Sequence, residues 1–112
     1  MSNRKVPEPI KELTEEFVSR IAEFYGDRLD KVILFGSYAR GDFHEESDID
    51  YMIVLNDENV NSYEEISLVS PITSDLSLKY LMSVSAIPYT NRKLFSQGTP
   101  LGRNVLREGI EL

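Results

Sequence analysis

The spacing of apolar residues along the chain predicts its first helix and its strands. Between Pro9 and Gly26 the apolar positions lie three and four residues apart, which is typical of an amphipathic helix. The continuous apolar character of Lys31 to Phe35 predicts a short buried strand. Residues 49–55 form a second apolar run, and residues 81–90 alternate as in a strand with one covered face.

Two further helices are predicted later in the chain. Ser62-Tyr63-Glu64-Glu65 fits a capping box, and helical spacing continues from there to Tyr80. Pro71 lies inside this pattern and is expected to kink the helix or divide it in two. Leu94 to Gly109 predicts a closing helix that ends at the glycine. The elements together predict an α/β (α+β) fold, a small mixed sheet of three to four strands with helices packed on one face.

The length and composition indicate one globular domain. A chain of 112 residues has room for a single domain, residues 1–112, and 41% hydrophobic with 28% charged residues is ordinary for a soluble protein. We find no run of 18 apolar residues and no signal-like apolar stretch, so we expect a cytoplasmic protein that does not associate with membranes. The absence of cysteine excludes disulfides and thiolate metal sites.

The charge is acidic and unevenly distributed. A net charge of −7 argues against stable nucleic-acid binding, because a phosphate backbone is held by a basic surface. Residues 31–91 hold ten acidic and three basic side chains, so they account for a charge of −7 by themselves. This acidic middle contains the candidate site.

Asp48 and Asp50 stand one residue apart at the head of the second apolar run. In a strand they point the same way, about 6.5 to 7 Å apart along the chain. Two carboxylates this close repel each other unless a cation lies between them, and an all-oxygen site suits Mg²⁺ or Mn²⁺. A calcium loop is excluded because residues 48–53 lack its third oxygen ligand and its glycine.

The first apolar run ends abruptly at Gly36 and Ser37. Unpaired backbone N–H groups at such a turn can cradle phosphate oxygens, the glycine allows close approach, and the serine adds a hydroxyl. With the carboxylate pair, the turn predicts a site for a metal-bound nucleoside triphosphate. Arg40 has two interpretations, a contact to phosphate or an ion pair with Asp42. His44, the only histidine, is interpreted as an exposed loop residue.

Gly36-Ser37, Ala39-Arg40-Gly41 and Asp48-Ile49-Asp50 together resemble the signature of the DNA polymerase beta-like nucleotidyltransferases. The closest resemblance is to their smallest members, the minimal nucleotidyltransferase (MNT) domains, and it covers most of the chain. It implies the polymerase beta-like fold and transfer of a nucleotidyl group, AMP from ATP, to a hydroxyl acceptor with Mg²⁺ or Mn²⁺ as cofactor. It assigns catalysis and metal binding to Asp48 and Asp50, and nucleotide binding to Gly36, Ser37 and Arg40.

The resemblance also implies a protein partner, and the chain differs from the family pattern at one position. MNT proteins are often found with a helical HEPN-type protein in toxin–antitoxin pairs, so we expect such a partner as acceptor. The family usually carries a third acidic residue on the strand beside Asp-x-Asp, where this chain has Ser83 or Ser85. A second hypothesis is therefore a catalytically impaired module that binds nucleotide or the partner and acts by occlusion. A third is adenylyl transfer to a small molecule such as an aminoglycoside.

Overall fold

A computed structural model describes residues 1–112 as five helices and four strands. The helices are α1 (Lys11–Tyr25), α2 (Ser37–Arg40), α3 (Ser62–Tyr80), α4 (Asn91–Phe95) and α5 (Pro100–Glu108), and the strands are β1 (Leu29–Phe35), β2 (Ile49–Leu55), β3 (Val84–Thr90) and β4 (Ile110–Glu111). No helix combines the length and apolar character that crossing a membrane would require.

The four strands form one mixed sheet in the order β3-β2-β1-β4. The strand β1 pairs antiparallel with both β2 and β4, whereas β2 and β3 run parallel. A parallel pair needs a long crossover, and α3 supplies it. The small mixed sheet predicted from the sequence is confirmed, and its fourth strand is the short C-terminal β4.

The larger core lies on the face of the sheet that carries the odd-numbered residues of β2. Tyr51 is fully buried there, with its ring stacked on Phe17 of α1 at a centroid distance of 4.1 Å. The hydroxyl groups of Tyr51 and Thr14 are 2.7 Å apart and hydrogen-bonded. This face packs against α1 and α3.

The other face of the sheet carries Asp50 at one end and a second, smaller core beyond it. Met52 and Val54 are fully buried in that core, with Leu94 of α4 and Val105 of α5. Helices therefore cover part of this face too, whereas the sequence predicted them on one face only. The reason is that the closing segment forms two short helices that fold back on the sheet, instead of one helix over residues 94–109.

Two element boundaries differ from those predicted, and of the two outcomes predicted for Pro71 the division of the helix is absent. Asn61, not Ser62, caps α3, because its side-chain oxygen accepts a hydrogen bond from the Glu64 N–H at 3.2 Å. Pro71 lies within α3 without dividing it, at an exposed position where water can solvate the carbonyl that the missing N–H leaves free. The strand β3 begins at Val84 because Leu81 ends α3 in a left-handed conformation.

Candidate active site

The antiparallel pairing of β1 and β2 positions the residues of the candidate site. Phe35, the last residue of β1, pairs with Asp50, so Gly36 follows directly beside this carboxylate. A Cβ atom added to Gly36 would overlap Oδ2 of Asp50. Gly36 also has φ 76° and ψ −157°, a conformation open essentially to glycine alone. The structure therefore brings the predicted turn and the predicted carboxylate into direct contact.

The helix α2 starts immediately after this glycine. The carbonyl of Gly36 accepts hydrogen bonds from the N–H groups of Ala39 and Arg40, both at 3.1 Å. The N–H groups of Ser37 and Tyr38 precede these first bonds and have no acceptor within the helix. They lie at the turn that Gly36 makes beside Asp50.

Asp48 is exposed just before β2, and Asp50 is half-buried within it. The pKa of Asp50 is raised above its ordinary range, first because burial disfavours the charged form and then because the charge of Asp48 repels it. The guanidinium of Arg40 acts in the opposite direction and lowers this pKa. A hard divalent cation held by the two carboxylates would relieve both unfavourable effects, so the donor set fits Mg²⁺ or Mn²⁺.

Arg40 is held by two carboxylates. Its Nε donates to Asp42 at 3.3 Å, and its Nη1 donates to Glu108 of α5 at 3.2 Å. The predicted ion pair with Asp42 is thus present, while a contact of Arg40 with nucleotide stays a prediction. Glu108 is 68 residues away in sequence, and no local pattern indicated it.

Ser85 pairs with Asp50 across the parallel strands, so both side chains lie on the same face of the sheet. Ser83 stands one residue before β3, and its carbonyl accepts a hydrogen bond from the Ile49 N–H at 2.8 Å. No group of three or more acidic, histidine or cysteine side chains in the chain is placed to hold a metal ion. His44 is exposed in the loop before β2, as predicted.

A mixed sheet that places a strand-ending Gly-Ser turn against an Asp-x-Asp strand defines the nucleotidyltransferase class of proteins. Comparison with known proteins agrees with this assignment. Residues 11–97 match the model of the nucleotidyltransferase domain, and the chain belongs to this family. The family recognised from the sequence signature is confirmed, and with it the nature of the chain as a nucleotidyltransferase.

Individual relatives point the same way. The chain is 44% identical over 80 residues to "Putative protein adenylyltransferase MJ0141" of Methanocaldococcus jannaschii, a match that covers 71% of this chain and 79% of that protein. A crystal structure of "a putative nucleotidyltransferase from Sulfolobus solfataricus" has a TM-score of 0.63 at 22% identity, covering 98% of this chain and 90% of the other. The crystal structure of a toxin-antitoxin with AMP-PNP has a TM-score of 0.58 at 24% identity, covering 87% and 70%. These structures share the predicted polymerase beta-like fold.

Proposed function

We propose that this chain transfers AMP from ATP to a hydroxyl group of a partner protein, and that the transfer depends on Mg²⁺ or Mn²⁺. The observation that carries the proposal is the contact between Gly36 and Asp50. It supports a common cleft in which a turn suited to phosphate adjoins a carboxylate pair suited to a cation.

Each residue of the cleft has a role in this proposal. Asp48 and Asp50 hold the cation, which supplies neutralisation of the charge on the triphosphate and on the leaving pyrophosphate. Gly36 and Ser37 contact the phosphates through the turn, and Arg40 adds a fixed positive charge nearby. Because the site is acidic without the cation, the metal-free protein binds ATP poorly.

The reaction is an in-line substitution at phosphorus. The acceptor oxygen forms a bond to the α-phosphorus while the bond to the bridging oxygen of the β-phosphate breaks, so AMP is joined to the acceptor and pyrophosphate leaves. The proton of the acceptor hydroxyl is released to solvent or to a basic group of the acceptor. No side chain of this chain is assigned as the general base.

A protein acceptor is supported by two comparisons. The relative from Methanocaldococcus jannaschii carries a protein adenylyltransferase name, and one structural neighbour is a toxin-antitoxin. We extend both to this chain, with a HEPN-type toxin as the partner that receives AMP and is inactivated by it. The protein would then act as an antitoxin in the cytoplasm.

Labelled ATP, Mg²⁺ and the candidate partner test this function directly. We expect transfer of label to the partner, loss of at least 100-fold of the rate in Asp48→Asn and in Asp50→Asn, and loss of transfer with a chelator. Asp75→Asn is the matched control, since Asp75 is exposed on α3 and pairs only with Arg20. Transfer that persists in both site variants would refute the assignment.

A second candidate function rests on Ser85, which stands beside Asp50 where the family usually carries its third acid. In this alternative the chain binds nucleotide or the partner and inhibits the partner by occlusion. Inhibition that survives in Asp48→Asn and Asp50→Asn would favour it.

Ser85→Asp also separates the two functions. If only the third acid limits the site, this variant raises Mg²⁺ affinity by about tenfold, because a third anionic ligand joins the pair, and it raises transfer. Ser85→Asn, which adds similar volume without charge, is the control. Equal Mg²⁺ affinity in both variants would show that position 85 does not face the metal.

A further inference from the structure

The strand β3 is an edge of the sheet, and it borders the site directly. In a parallel ladder alternate residues of an edge strand turn their backbone groups toward the neighbouring strand. The Ile49 N–H bonds to the Ser83 carbonyl, and Ile49 pairs with Val84, so the backbone groups of Ser85 face β2. Those of Val84, Ala86 and Pro88 therefore face the open edge, which is a template for an added strand.

Two positions of this edge have no N–H group free for an added strand. Ser77 of α3 occupies the N–H of Val84 through its hydroxyl at 3.1 Å, and Pro88 has no N–H to offer. The open stretch beside the site consists of the carbonyl of Val84 and the N–H and carbonyl of Ala86. It flanks Ser85, the residue that pairs with Asp50.

Leu81 lies just before this stretch and has an unusual backbone conformation. Its φ of 54° is a left-handed conformation, which is unfavourable for a leucine because its Cβ crowds the following carbonyl oxygen. Its side chain is nevertheless 87% exposed, and Leu78 one turn earlier is 75% exposed. These two exposed leucines at the C-terminal end of α3 are available to contact a segment that binds along the edge that follows.

Acidic residues at this end of the sheet favour a bound segment that is positively charged. Glu45 and Glu46 are exposed in the stretch before β2, and neither has a cationic partner. A peptide that carries lysine or arginine beside its hydroxyl residue complements them.

We propose that the acceptor protein binds by adding an extended, basic segment as a fifth strand against Val84–Ala86, with an apolar residue on Leu78 and Leu81. The proposal rests on the proposed transfer to a protein hydroxyl and states how that acceptor is held. Adjacent strands lie about 4.8 Å apart, so the residue opposite Ser85 is about 10 Å from the backbone of Asp50 and on the same face. That separation leaves room for the α-phosphate between Asp50 and the acceptor hydroxyl. Main-chain bonds to the edge supply affinity, and the alternate side chains supply selectivity.

The probe is a pool of ten-residue peptides with a central serine, threonine or tyrosine and flanking lysine or arginine, incubated with the full chain, Mg²⁺ and labelled ATP. Bound peptides are identified, and the tightest is resynthesised with an N-methyl group at each position in turn. Strand addition predicts that affinity falls at least tenfold at alternate positions, because only every second N–H faces the protein. A flat profile, or no peptide enriched over the pool, overturns the proposal.

Two variants of the protein make the test specific to the edge. Ala86→Pro removes an N–H that the sheet does not use and is expected to weaken peptide binding at least tenfold, while Ala86→Val keeps the N–H and retains binding. Leu81→Gly is expected to raise the melting temperature by about 4 °C, since glycine adopts the left-handed conformation freely, and yet to weaken the peptide severalfold. Binding that is equal in wild type and Ala86→Pro overturns the proposal.

Measuring whether label is incorporated into the peptide distinguishes a failure of this proposal from a failure of the proposed nucleotidyl transfer. If N-methylation lowers the affinity at alternate positions but no peptide becomes labelled, the edge site is supported and the result counts against nucleotidyl transfer. If peptides are labelled but neither N-methylation nor Ala86→Pro changes their affinity, nucleotidyl transfer is supported and the edge site is overturned.

Discussion

At the scale of single residues, the stability of the fold conflicts with the function proposed for Asp50. Its carboxylate is half-buried against Gly36 and is repelled by the charge of Asp48, and both features raise its pKa. A group placed in this way destabilises the fold when it is charged. The same placement concentrates negative charge where a divalent cation would bind.

We therefore expect Asp50→Asn to stabilise the metal-free protein while it abolishes transfer. The pKa of Asp50 is higher in the folded chain than in the unfolded chain, where it is about 3.9. The folded state then binds more protons, so wild-type stability falls as the pH rises above 3.9 and levels off beyond the folded pKa. Thermal unfolding in a chelator is expected to show a gain in Asp50→Asn that grows over this interval and is absent at lower pH.

Addition of Mg²⁺ supplies the second half of that test. It should raise the melting temperature of the wild type, because a cation that binds only the folded state stabilises it, and leave Asp50→Asn nearly unchanged. A variant less stable than the wild type above pH 6, without metal, would show that the Asp50 carboxylate is already compensated in the fold.

At the scale of elements, the turn between β1 and α2 determines where the carboxylates can lie. Gly36 meets two separate demands, a positive φ of 76° and the close approach of Asp50. Any other residue at this position must strain its backbone and also displace the carboxylate. Gly26 meets only the first demand, since its φ is 55° and a Cβ added there meets nothing within 4 Å.

Gly36→Ala and Gly26→Ala consequently form a matched pair. Each should cost about 1–3 kcal/mol of unfolding free energy for the backbone conformation. Only Gly36→Ala is expected to weaken ATP binding in the presence of Mg²⁺, by at least tenfold, because it moves Asp50. Chemical denaturation and ATP titration of both variants measure the two effects. Equal ATP affinities would mean that the contact between Gly36 and Asp50 is unimportant for the nucleotide.

The site was predictable to the extent that its signals are local. The strand that ends at Gly36 predicts the turn that lies beside Asp50. A period of two predicts that Asp48 points the same way as Asp50, which stays a prediction because Asp48 lies just before β2. Glu108 was not predictable as a partner of Arg40, because the contact joins α2 to α5 across 68 residues and depends on how the chain folds back.

The exact ends of the helices are not predictable from apolar spacing either, because they depend on the local backbone conformation. Asn61 and Ser62 are both good helix caps, and only the backbone conformation decides between them. Thr99 begins α5 by accepting a hydrogen bond from the Gly102 N–H at 3.0 Å, which divides a stretch whose apolar spacing had predicted one helix. Apolar spacing reports which side chains are buried, but it does not report where a cap interrupts the backbone.

At the scale of the whole molecule, the sheet separates the larger core from the candidate site, which shares its face with the smaller core. Tyr51 and Asp50 are adjacent in sequence, yet Tyr51 lies in the core beneath α1 and α3 while Asp50 lies on the opposite face beside Gly36. Burial raises the pKa of Tyr51 to about 12, so its hydroxyl stays neutral and bonded to Thr14. Changes on the two faces should therefore act on different properties of the protein.

Tyr51→Phe tests that separation, because it removes the hydroxyl and leaves the ring on Phe17. Thr14 is 4% exposed and loses its partner, but a helical threonine can bond to a carbonyl in the preceding turn, so the expected cost is about 1 kcal/mol. Transfer should be unchanged, whereas Asp50→Asn should abolish transfer and raise the stability of the metal-free protein. The double variant should show the sum of the two stability changes to within about 0.5 kcal/mol, since the side chains lie on opposite faces without a shared contact. A larger deviation in chemical denaturation, or a loss of transfer in Tyr51→Phe, would mean that β2 transmits changes in the core to the cleft.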